Sequence, residues 1–364
     1  MNISDGFANS LVSLRQDPQS VARAAAANGQ RVVGYVGGDI PVALILAANA
    51  LPVRLRGLGD AATPAADRFV ESSFAPALRS IAEQWLNESL DHLDAVIFSR
   101  GDDSTQRLYY YVCELRRRGV CAGPRPLLYD IAGLDRALSF EHTLDSTRLL
   151  AMQLGSAPER LAAAFGRVQR RAELVQAVKA QRQLPAPLRG SDAWSFDFAA
   201  GCDWRESFDA GARQWLAQAS LLHLPKRVVL AGDPPPDDQL HLAVEACGAC
   251  VVLELTEASG AAERGEREPL AAIAEESRRF QSPALAMRRN ARWLADNALD
   301  QRADAVLVWL SEQDEALPWE IARQMRALRE SGVPALLLSR QPPAISAEAV
   351  TEVMHFMREL KKSS

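Results

Sequence analysis

The fold is decided by the stretch Asp94-Ala-Val-Ile-Phe-Ser-Arg-Gly-Asp-Asp-Ser-Thr-Gln-Arg-Leu-Tyr-Tyr-Tyr-Val112. Its β-branched and aromatic start, residues 94–98, predicts a short buried strand. Residues 99–104 lack apolar periodicity and contain Gly101, so they predict a turn. Leu108, Val112 and Leu115 then recur at helical spacing. An open parallel sheet binds ligands at such turns after its strands, so this stretch is the first candidate site.

Outward from this stretch, short apolar strands alternate with helices in both halves of the chain. The first half has strand patterns at residues 31–36, 52–55, 94–98 and 125–129. The second half has them at residues 227–231, 250–254, 304–308 and 334–338. Parallel neighbours need a crossover helix between them, so the alternation predicts an α/β fold with parallel, Rossmann- or flavodoxin-like sheets.

The two halves also repeat one another. Leu230-Ala-Gly-Asp-Pro-Pro235 answers Val36-Gly-Gly-Asp-Ile-Pro41, and the strand at 304–308 answers the strand at 94–98. Matches in the same order predict two lobes of like topology. We expect an N-terminal lobe at residues 1–139, a helical connector at 140–224 with a break at 183–203, and a C-terminal lobe at 225–364. A cleft between the lobes would bring the turns at 99–104 and 310–317 face to face.

Composition excludes several classes of protein. The formal net charge of −5 gives no electrostatic basis for binding nucleic acid. No apolar run reaches the length of a membrane span, and the first residues lack the pattern of a secretory signal. The five cysteines are odd in number and form no dense framework, so we expect a cytoplasmic protein with reduced thiols.

Four groups of residues could carry chemistry, and each has a structural alternative. Cys247-Gly-Ala-Cys250 has the spacing of a redox or zinc pair, but it also fits a helix end followed by a buried strand. The glycines Gly37, Gly38 and Gly232 follow strands as phosphate-binding turns do, yet they match no nucleotide fingerprint and fit tight turns better.

Histidines and carboxylates complete this set. The five histidines are dispersed without the spacing of a metal site or a catalytic triad, so we expect no metal site. Carboxylates cluster in the two facing turns and could act as acid and base, bind a cation, or simply cap helices. They are Asp102, Asp103, Glu312, Asp314 and Glu315.

The chain resembles the 2-hydroxyacyl-CoA dehydratase and benzoyl-CoA reductase component family, and in particular the 2-hydroxyglutaryl-CoA dehydratase D-component. The resemblance extends from about residue 33 to 338. It is carried by Gly34-Tyr-Val with Ala50-Leu-Pro-Val-Arg-Leu-Arg56, by Ser72-Ser-Phe-Ala-Pro-Ala-Leu-Arg-Ser80, by Asp94-Ala-Val-Ile-Phe with Asp103-Ser-Thr-Gln-Arg-Leu-Tyr109, and by Asp304-Ala-Val-Leu-Val with Arg329-Glu-Ser-Gly-Val-Pro334.

The resemblance implies a pair of related α/β subunits, a [4Fe-4S] cluster held by cysteine thiolates, an ATP-dependent activator and an acyl-CoA substrate. The positions that match the cluster ligands are Ala75, Asp102 and Gln313, and none is a cysteine. Such clusters need soft thiolate ligands. The resemblance therefore predicts the fold but not a cluster, and we expect no cofactor unless a partner subunit supplies it.

Three functional hypotheses follow from the resemblance. The first is a family subunit without cluster ligands, non-catalytic or repurposed, that forms a homo- or heterodimer with a related subunit. The second is an active acyl-CoA dehydratase (a lyase) or aryl-CoA reductase component, with Asp102, Asp103, Arg79 and Arg107 as candidate residues by position alone. The third is an orthodox cluster-bearing subunit, which requires that the ligand turns align differently.

Overall fold

The computed structural model describes residues 3–57, 61–101, 103–132, 136–182, 188–218, 226–256, 268–279 and 283–362. The chain divides into two compact units. Unit 1 comprises residues 1–174, 198–215 and 259–280, and unit 2 comprises residues 175–197, 216–258 and 281–364. The division into three consecutive segments, with boundaries at 139 and 224, stays a prediction.

Unit 1 contains a four-stranded parallel sheet in the order β2-β1-β3-β4. Its strands are β1 (Val32–Val36), β2 (Leu51–Arg54), β3 (Ala95–Ser99) and β4 (Arg125–Tyr129). Every residue of the two central strands, β1 and β3, is buried, whereas the edge strand β4 is partly exposed. Burial on both faces explains why the central strands read as continuous apolar runs rather than as alternating patterns.

Helices of unit 1 connect and cover these strands. They are α1 (Ile3–Gln16), α2 (Ser20–Ala27), α3 (Val42–Ala47), α4 (Pro76–Leu86), α5 (Asp103–Arg117) and α6 (Ala137–Leu154). The helices α7 (Pro158–Gln181), α8 (Gly190–Cys202) and α9 (Glu206–Ala217) follow, and each of them contains a boundary between the units. Helix α11 (Pro269–Arg279) returns to unit 1 and packs against α6.

Unit 2 contains a second four-stranded parallel sheet, in the order β6-β5-β7-β8. Its strands are β5 (Lys226–Gly232), β6 (Ala249–Leu255), β7 (Ala305–Ser311) and β8 (Ala335–Gln341). Its further helices are α10 (Gln239–Ala246), α12 (Pro283–Arg289), α13 (Trp293–Asp300), α14 (Leu317–Glu330) and α15 (Ala347–Lys362). The predicted α/β fold with two parallel-sheet lobes is confirmed.

The two faces of the second sheet bury alternate residues of the same strands. Val228 and Leu230 pack with α10 and α15 on one face. Val229 and Ala231 pack with α12, α13 and α14 on the other face. This follows from the two-residue period of a strand, and it makes both faces of β5 apolar. The second sheet is therefore a layer between two layers of helices.

Hydrogen bonds confirm the repeat between the units at the start of β3 and β7. Asp94 donates its backbone N–H to the carbonyl of Val32 at 2.8 Å, and its carboxylate accepts the N–H of Val32 at 2.8 Å. Asp304 forms the same two bonds with Arg227, at 2.8 and 2.7 Å. In both units the aspartate satisfies an N–H at the start of the neighbouring strand, which explains the Asp-Ala-Val pattern.

Glycine ends a helix in the same way in both units. Gly119 and Gly332 both have φ of +70°. The next residues, Val120 and Val333, donate their N–H groups to helical carbonyls at 3.0 Å. These are Schellman ends, which need a left-handed residue at this point.

One prediction about the connector is wrong. Residues 190–202, which we expected to lie in a break, form α8. Gly190 and Gly201 lie at the two ends of this helix, where glycine costs little. Each allows a close approach, because a Cβ on Gly190 would lie 3.2 Å from the Cβ of Val251, and one on Gly201 would lie 3.2 Å from the Cβ of Arg54. Residues 183–187 lie outside the described chain.

Candidate functional site

Each sheet has one point where a ligand site is expected. The chain leaves β1 towards β2 on one side and leaves β3 towards β4 on the other, so the crevice opens after the carboxyl ends of β1 and β3. In unit 2 the same argument selects the ends of β5 and β7. We therefore describe the side chains at these two edges, each within its own unit.

At the edge of unit 1, Asp39 and Ser99 form a closely packed polar contact. Asp39 is 5% exposed and accepts a hydrogen bond from the Ser99 hydroxyl at 2.6 Å. The same hydroxyl oxygen accepts the N–H of Gly101 at 2.8 Å. A Cβ on Gly37 would lie 2.7 Å from the Cβ of Ser99, and one on Gly101 would lie 2.4 Å from the Asp39 carboxylate. The glycines are therefore required by tight packing, which supports the turn interpretation over a phosphate loop.

Beside this contact, an ion pair joins the ends of β3 and β4. Arg100 donates to both carboxylate oxygens of Asp130, at 2.7 and 2.8 Å. This hydrogen bonding raises the pKa of Arg100. The Nε2 of His142 lies 3.3 Å from the same carboxylate. All three side chains are partly exposed, so this edge presents a fixed cation and an imidazole to solvent.

The turn that contains Ala75 is held against α5 by Arg107. Arg107 pairs with Glu71 at 2.6 Å, and its guanidinium lies 4.4 Å from the centre of the Phe74 ring. The Tyr111 hydroxyl donates to the same glutamate at 2.5 Å. The structure thus brings Arg107 and the Ala75 turn together within unit 1. Arg107 has a structural role here, because it already has a carboxylate and an aromatic partner.

Ala75 itself precedes α4 as its N-cap, and Pro76 occupies the first helical turn. Its methyl group has no atom that can bind a metal. Arg79, on the same helix, pairs with Asp67. Hydrogen bonds from Thr63 and then Arg79 lower the pKa of Asp67. Arg79 is therefore tied to a loop carboxylate.

Of the other two candidate carboxylates of unit 1, Asp103 lies within the described structure and Asp102 does not. Asp103 is exposed and is the first residue of α5. That position agrees with helix capping and with the helix dipole. Asp102 lies outside the described residues, so its role at the start of this helix stays a prediction.

At the edge of unit 2, two carboxyl groups share a hydrogen bond. Asp233, directly after β5, is hydrogen-bonded to Asp314, which lies between β7 and α14. One oxygen of Asp233 accepts the N–H of Ser311 at 2.7 Å. Burial, the hydrogen bond to Asp314 and the charge of Asp314 raise the pKa of Asp233 to about 7. A carboxyl group with this pKa can give or accept a proton near neutral pH.

Asp314 also accepts hydrogen bonds at the start of α14, as the capping alternative predicts. Its Oδ1 accepts the N–H groups of Ala316 and Leu317, each at 2.7 Å. Asp314 therefore contacts both the start of α14 and the Asp233 carboxyl group.

Gln313 is engaged by its neighbours in the same turn. Its Oε1 accepts a hydrogen bond from the Ser311 hydroxyl at 2.7 Å, and its Nε2 donates to Glu312 at 2.7 Å. Gly232 has φ of +106°, and a Cβ there would lie 2.1 Å from the Trp309 carbonyl oxygen. This turn is thus as tightly packed as its counterpart in unit 1.

The five cysteines provide no thiolate site at these edges. Cys113, Cys121 and Cys202 belong to unit 1, whereas Cys247 and Cys250 belong to unit 2, and all are free. Burial raises the pKa of Cys202 and of Cys250 to about 11, and it also raises the pKa of Cys121. Burial therefore favours the neutral thiol over the thiolate that ligates iron.

The Cys247–Cys250 pair has the structural role that we favoured. The two thiols point to different carbonyls, Cys247 to Met354 at 3.8 Å and Cys250 to Leu188 at 3.5 Å. Gly248 between them has φ of +74°, as a helix stop requires. Across the described ranges, no group of three or more histidines, cysteines and carboxylates is arranged to hold a metal ion.

A buried charged cluster in unit 2 was not anticipated. His241 is fully buried, with its Nε2 3.3 Å from the Glu254 carboxylate, and Arg182 donates to that carboxylate at 2.5 Å. Burial alone would raise the pKa of Glu254, but the charge of Arg182 and the contact with His241 hold it well below its usual range. The cluster fixes the end of α7 to β6 and α10.

These observations can now be compared with known proteins. A family model described as 2-hydroxyglutaryl-CoA dehydratase, D-component, matches residues 39–356. The chain belongs to this family. The match begins at Asp39 and includes both strand-edge turns described above. A comparison with curated proteins finds no match. None of the helices in the described segments is long and apolar enough to cross a membrane.

The residues present do not fit the iron–sulfur cluster that the family resemblance implies. Ala75 has a methyl group where a thiolate would be needed, and the Gln313 amide is a hard ligand already hydrogen-bonded to Ser311 and Glu312. Asp102 would supply a carboxylate oxygen by its chemistry. No step of a reaction is therefore assigned to a cluster in this chain.

Sequence reasoning missed the two aspartates at the strand edges. Asp39 and Asp233 stand in the Gly-Asp turns of the repeat. The sequence analysis considered only the glycines of these turns, as phosphate-binding residues. The sequence signal that could have identified them is the aspartate that follows glycine in both turns. The expected cleft that would join the two edges stays a prediction.

Proposed function

We propose that this chain is a 2-hydroxyacyl-CoA dehydratase-family subunit that lacks its own [4Fe-4S] ligands and works with a cluster-bearing related subunit. One observation supports the proposal: the chain matches the family over residues 39–356, and by the resemblance Ala75 and Gln313 stand where cluster ligands are expected. A non-catalytic or repurposed role follows, because a scaffold without thiolates can still pair and bind ligand.

The proposal includes a cytoplasmic location and a dimer with a related subunit. The absence of a dense cysteine framework and the free cysteines support a reducing compartment. An ATP-dependent activator would then act on the cluster of the partner, and not on this chain. Acyl-CoA is the ligand class that the family name suggests.

Iron analysis tests the proposal. The chain should be purified anaerobically, treated with ferrous iron and sulfide, and desalted, with a cluster-bearing family member carried through in parallel. We expect iron and acid-labile sulfide far below stoichiometric amounts and no charge-transfer absorption. A stoichiometric cluster in this chain would overturn the proposal.

Pairing is tested separately by co-expression with the cluster-bearing family subunit of the same genome. We expect a complex that co-elutes in size-exclusion chromatography and in which the iron belongs to the partner. A chain that stays alone would contradict the pairing, and a chain that pairs only with itself would contradict the heterodimer and favour a repurposed homodimer.

A second candidate function is an acyl-CoA dehydratase or aryl-CoA reductase component that is itself active, of the benzoyl-CoA reductase-like type. The hydrogen-bonded pair of Asp233 and Asp314 favours it, because a carboxyl group with a pKa of about 7 suits general acid–base catalysis. In this candidate function Asp233 would give or accept the proton, and Asp314 would position the Asp233 carboxyl group.

Substitution separates this candidate from the first. Asp233→Asn should abolish turnover of acyl-CoA and leave acyl-CoA binding intact, whereas Asp103→Asn should change neither, since Asp103 is exposed at a helix start. Turnover that survives in Asp233→Asn, or that requires only Asp102 and Asp103, would move the active site to unit 1.

A further inference from the structure

One outer helix of unit 2 combines an exposed aromatic ring with a row of arginines. Helix α14 buries Leu317, Ile321 and Leu328 against its own unit. Its opposite side presents Trp319, which is 84% exposed. The same side presents Arg323, Arg326 and Arg329 to solvent, at a spacing that aligns them along the helix.

Two further arginines flank this row. Arg288, from α12, contacts Glu320 at 3.2 Å, and Arg323 shares that glutamate at 2.6 Å. Arg292 donates to the Ser331 hydroxyl at 3.0 Å, just beyond the other end of α14. We call Trp319, Arg323, Arg326, Arg329, Arg288 and Arg292 together the α14 face.

The α14 face has more positive charge than its own carboxylates neutralise. Glu320 is shared between Arg288 and Arg323, Asp296 lies 3.5 Å from Arg292, and the exposed Glu330 adds a third carboxylate on the same side of α14, against five arginines. Arg326 and Arg329 have no ion pair with any residue that the structure describes. The whole chain is nevertheless acidic, with a formal net charge of −5. This face is therefore a basic area on an acidic protein, and it attracts an acidic surface.

The residue types of the α14 face indicate that its binding partner is a protein. Tryptophan and arginine are the residues that most often dominate protein–protein interfaces, where they supply large contact areas and multiple hydrogen bonds. The exposed Trp319 indole is not needed to hold α14 in place, because the buried side of the helix already packs against its unit. An exposed aromatic ring of this kind is typical of a binding surface.

The occupant is not a second copy of this chain docked through the same face. A twofold contact would place each patch against itself, and the arginines of one copy would meet those of the other. Like charges at close range oppose such a contact. The complementary surface therefore has a different composition from this face, which a related but non-identical subunit can supply.

We infer that the α14 face is the docking surface for the related partner subunit, which meets it with an acidic surface and an apolar recess for the Trp319 indole. The inference rests on the proposed pairing function and adds the surface that performs it. Trp319 contributes apolar contact, and Arg326 and Arg329 contribute attraction and orientation.

Charge reversal tests the inference on the full chain. The cluster-bearing family subunit of the same genome is titrated against wild type, Trp319→Ala and the double variant Arg326→Glu/Arg329→Glu. We expect both variants to weaken binding by about tenfold or more, and wild-type binding to weaken with added salt. Because the changed side chains are exposed, unchanged circular dichroism and melting temperature should verify the fold.

The matched controls lie on the opposite face of the same sheet. Arg358→Glu on α15 reverses an exposed helical arginine, and Leu242→Ala on α10 removes an apolar side chain that is 48% exposed. Both should bind the partner as wild type does. If the α14 variants bind equally well, the inference is wrong although the pairing function stands.

Two other outcomes also decide the question. A wild-type chain that does not bind the partner at all overturns the pairing function, and the docking surface with it. A labelled oligouridine that binds wild type and loses binding in Arg326→Glu/Arg329→Glu would assign the face to nucleic acid, against our inference. A photo-cross-linking residue at position 319 should label the partner subunit if the inference is correct.

Discussion

The carboxyl group of Asp233 is hydrogen-bonded to that of Asp314, although the two residues follow different strands of unit 2. The contact forms because β5 and β7 are neighbours in the sheet and both chains turn at their carboxyl ends. Burial and this neighbouring carboxyl group raise the pKa of Asp233 to about 7.

This contact predicts a pH-dependent stability. The pKa of Asp233 rises from 3.8 to about 7 on folding, so the protonated form favours the folded state. Its contribution is complete below about pH 4 and is lost as the pH rises through about 7. At about pH 8, Asp233→Asn should therefore be more stable than wild type, by on the order of 1–3 kcal/mol.

Urea unfolding at several pH values measures this effect. The difference between Asp233→Asn and wild type should shrink towards about pH 5, where the wild-type carboxyl group is protonated. Glu330→Gln, which changes an exposed carboxylate of the same unit, serves as the control and should follow wild type. A constant difference across the range would mean that Asp233 does not titrate in this way.

Gly232 provides a test of the tight turn after β5. A Cβ there would lie 2.1 Å from the Trp309 carbonyl oxygen at a φ of +106°. We expect Gly232→Ala to cost about 3 kcal/mol or more, since strain and overlap add. Gly155→Ala is the matched control, because Gly155 has φ of +71° but nothing within 4 Å, and it should cost about 1 kcal/mol. Equal losses in chemical denaturation would show that the overlap relaxes freely.

Arg171 should be one of the most sensitive side chains of unit 1. It is 4% exposed, pairs with Asp209 at 2.5 Å and donates to the carbonyls of Ala200 and Asp203. Arg171→Ala would leave a buried carboxylate and carbonyls without donors, at a cost of about 3–5 kcal/mol. The exposed neighbour Arg170→Ala should stay within about 0.5 kcal/mol of wild type.

The double variant Arg171→Met/Asp209→Leu refines the Arg171 prediction. Replacing both charges removes the unpaired carboxylate, so the double variant should be more stable than Arg171→Ala. Thermal unfolding of wild type, Arg171→Met, Asp209→Leu and the double variant measures the coupling. A double variant less stable than the single one would indicate that the carbonyl contacts, and not the ion pair, dominate.

Gln324 ties α14 to the two helices beside it. Its Oε1 accepts the N–H of Leu294 at 3.0 Å, and its Nε2 donates to the carbonyls of Met287 and Asn290, at 3.0 and 2.7 Å. Gln324→Met preserves the volume but leaves these backbone groups without partners, at a cost of about 2–4 kcal/mol. Hydrogen exchange should accelerate at Leu294, whereas the exposed control Gln239→Met should leave it unchanged. Protection retained in Gln324→Met would contradict this role.

Most of the fold was predictable because its determinants are local. The apolar run at 304–308 and the Gly-Asp turn before α10 read the same way in the sequence and in the structure. The exception is α8, where Gly190 and Gly201 suggested a break. Those glycines accommodate Val251 and Arg54, residues that are distant in sequence and that no local pattern could indicate.

The candidate site was less predictable than the fold. Sequence reasoning selected Arg79 and Arg107 by position, but both are engaged by loop carboxylates. It left Asp314 open between capping, cation binding and acid–base chemistry, and it gave no indication of the neighbouring Asp233. That partner depends on strand order, which places the end of β5 beside the end of β7.

The sequence by itself determined the eight described strands in their order and the repeat between the two halves. Those features depend on residue type and on spacing within a single element. Only the tertiary structure decided that Asp233 meets Asp314, that His241 lies buried beside Glu254, and that Trp319 stays in water. These relationships depend on which elements become neighbours, because hydrogen bonding and burial act through space rather than along the chain.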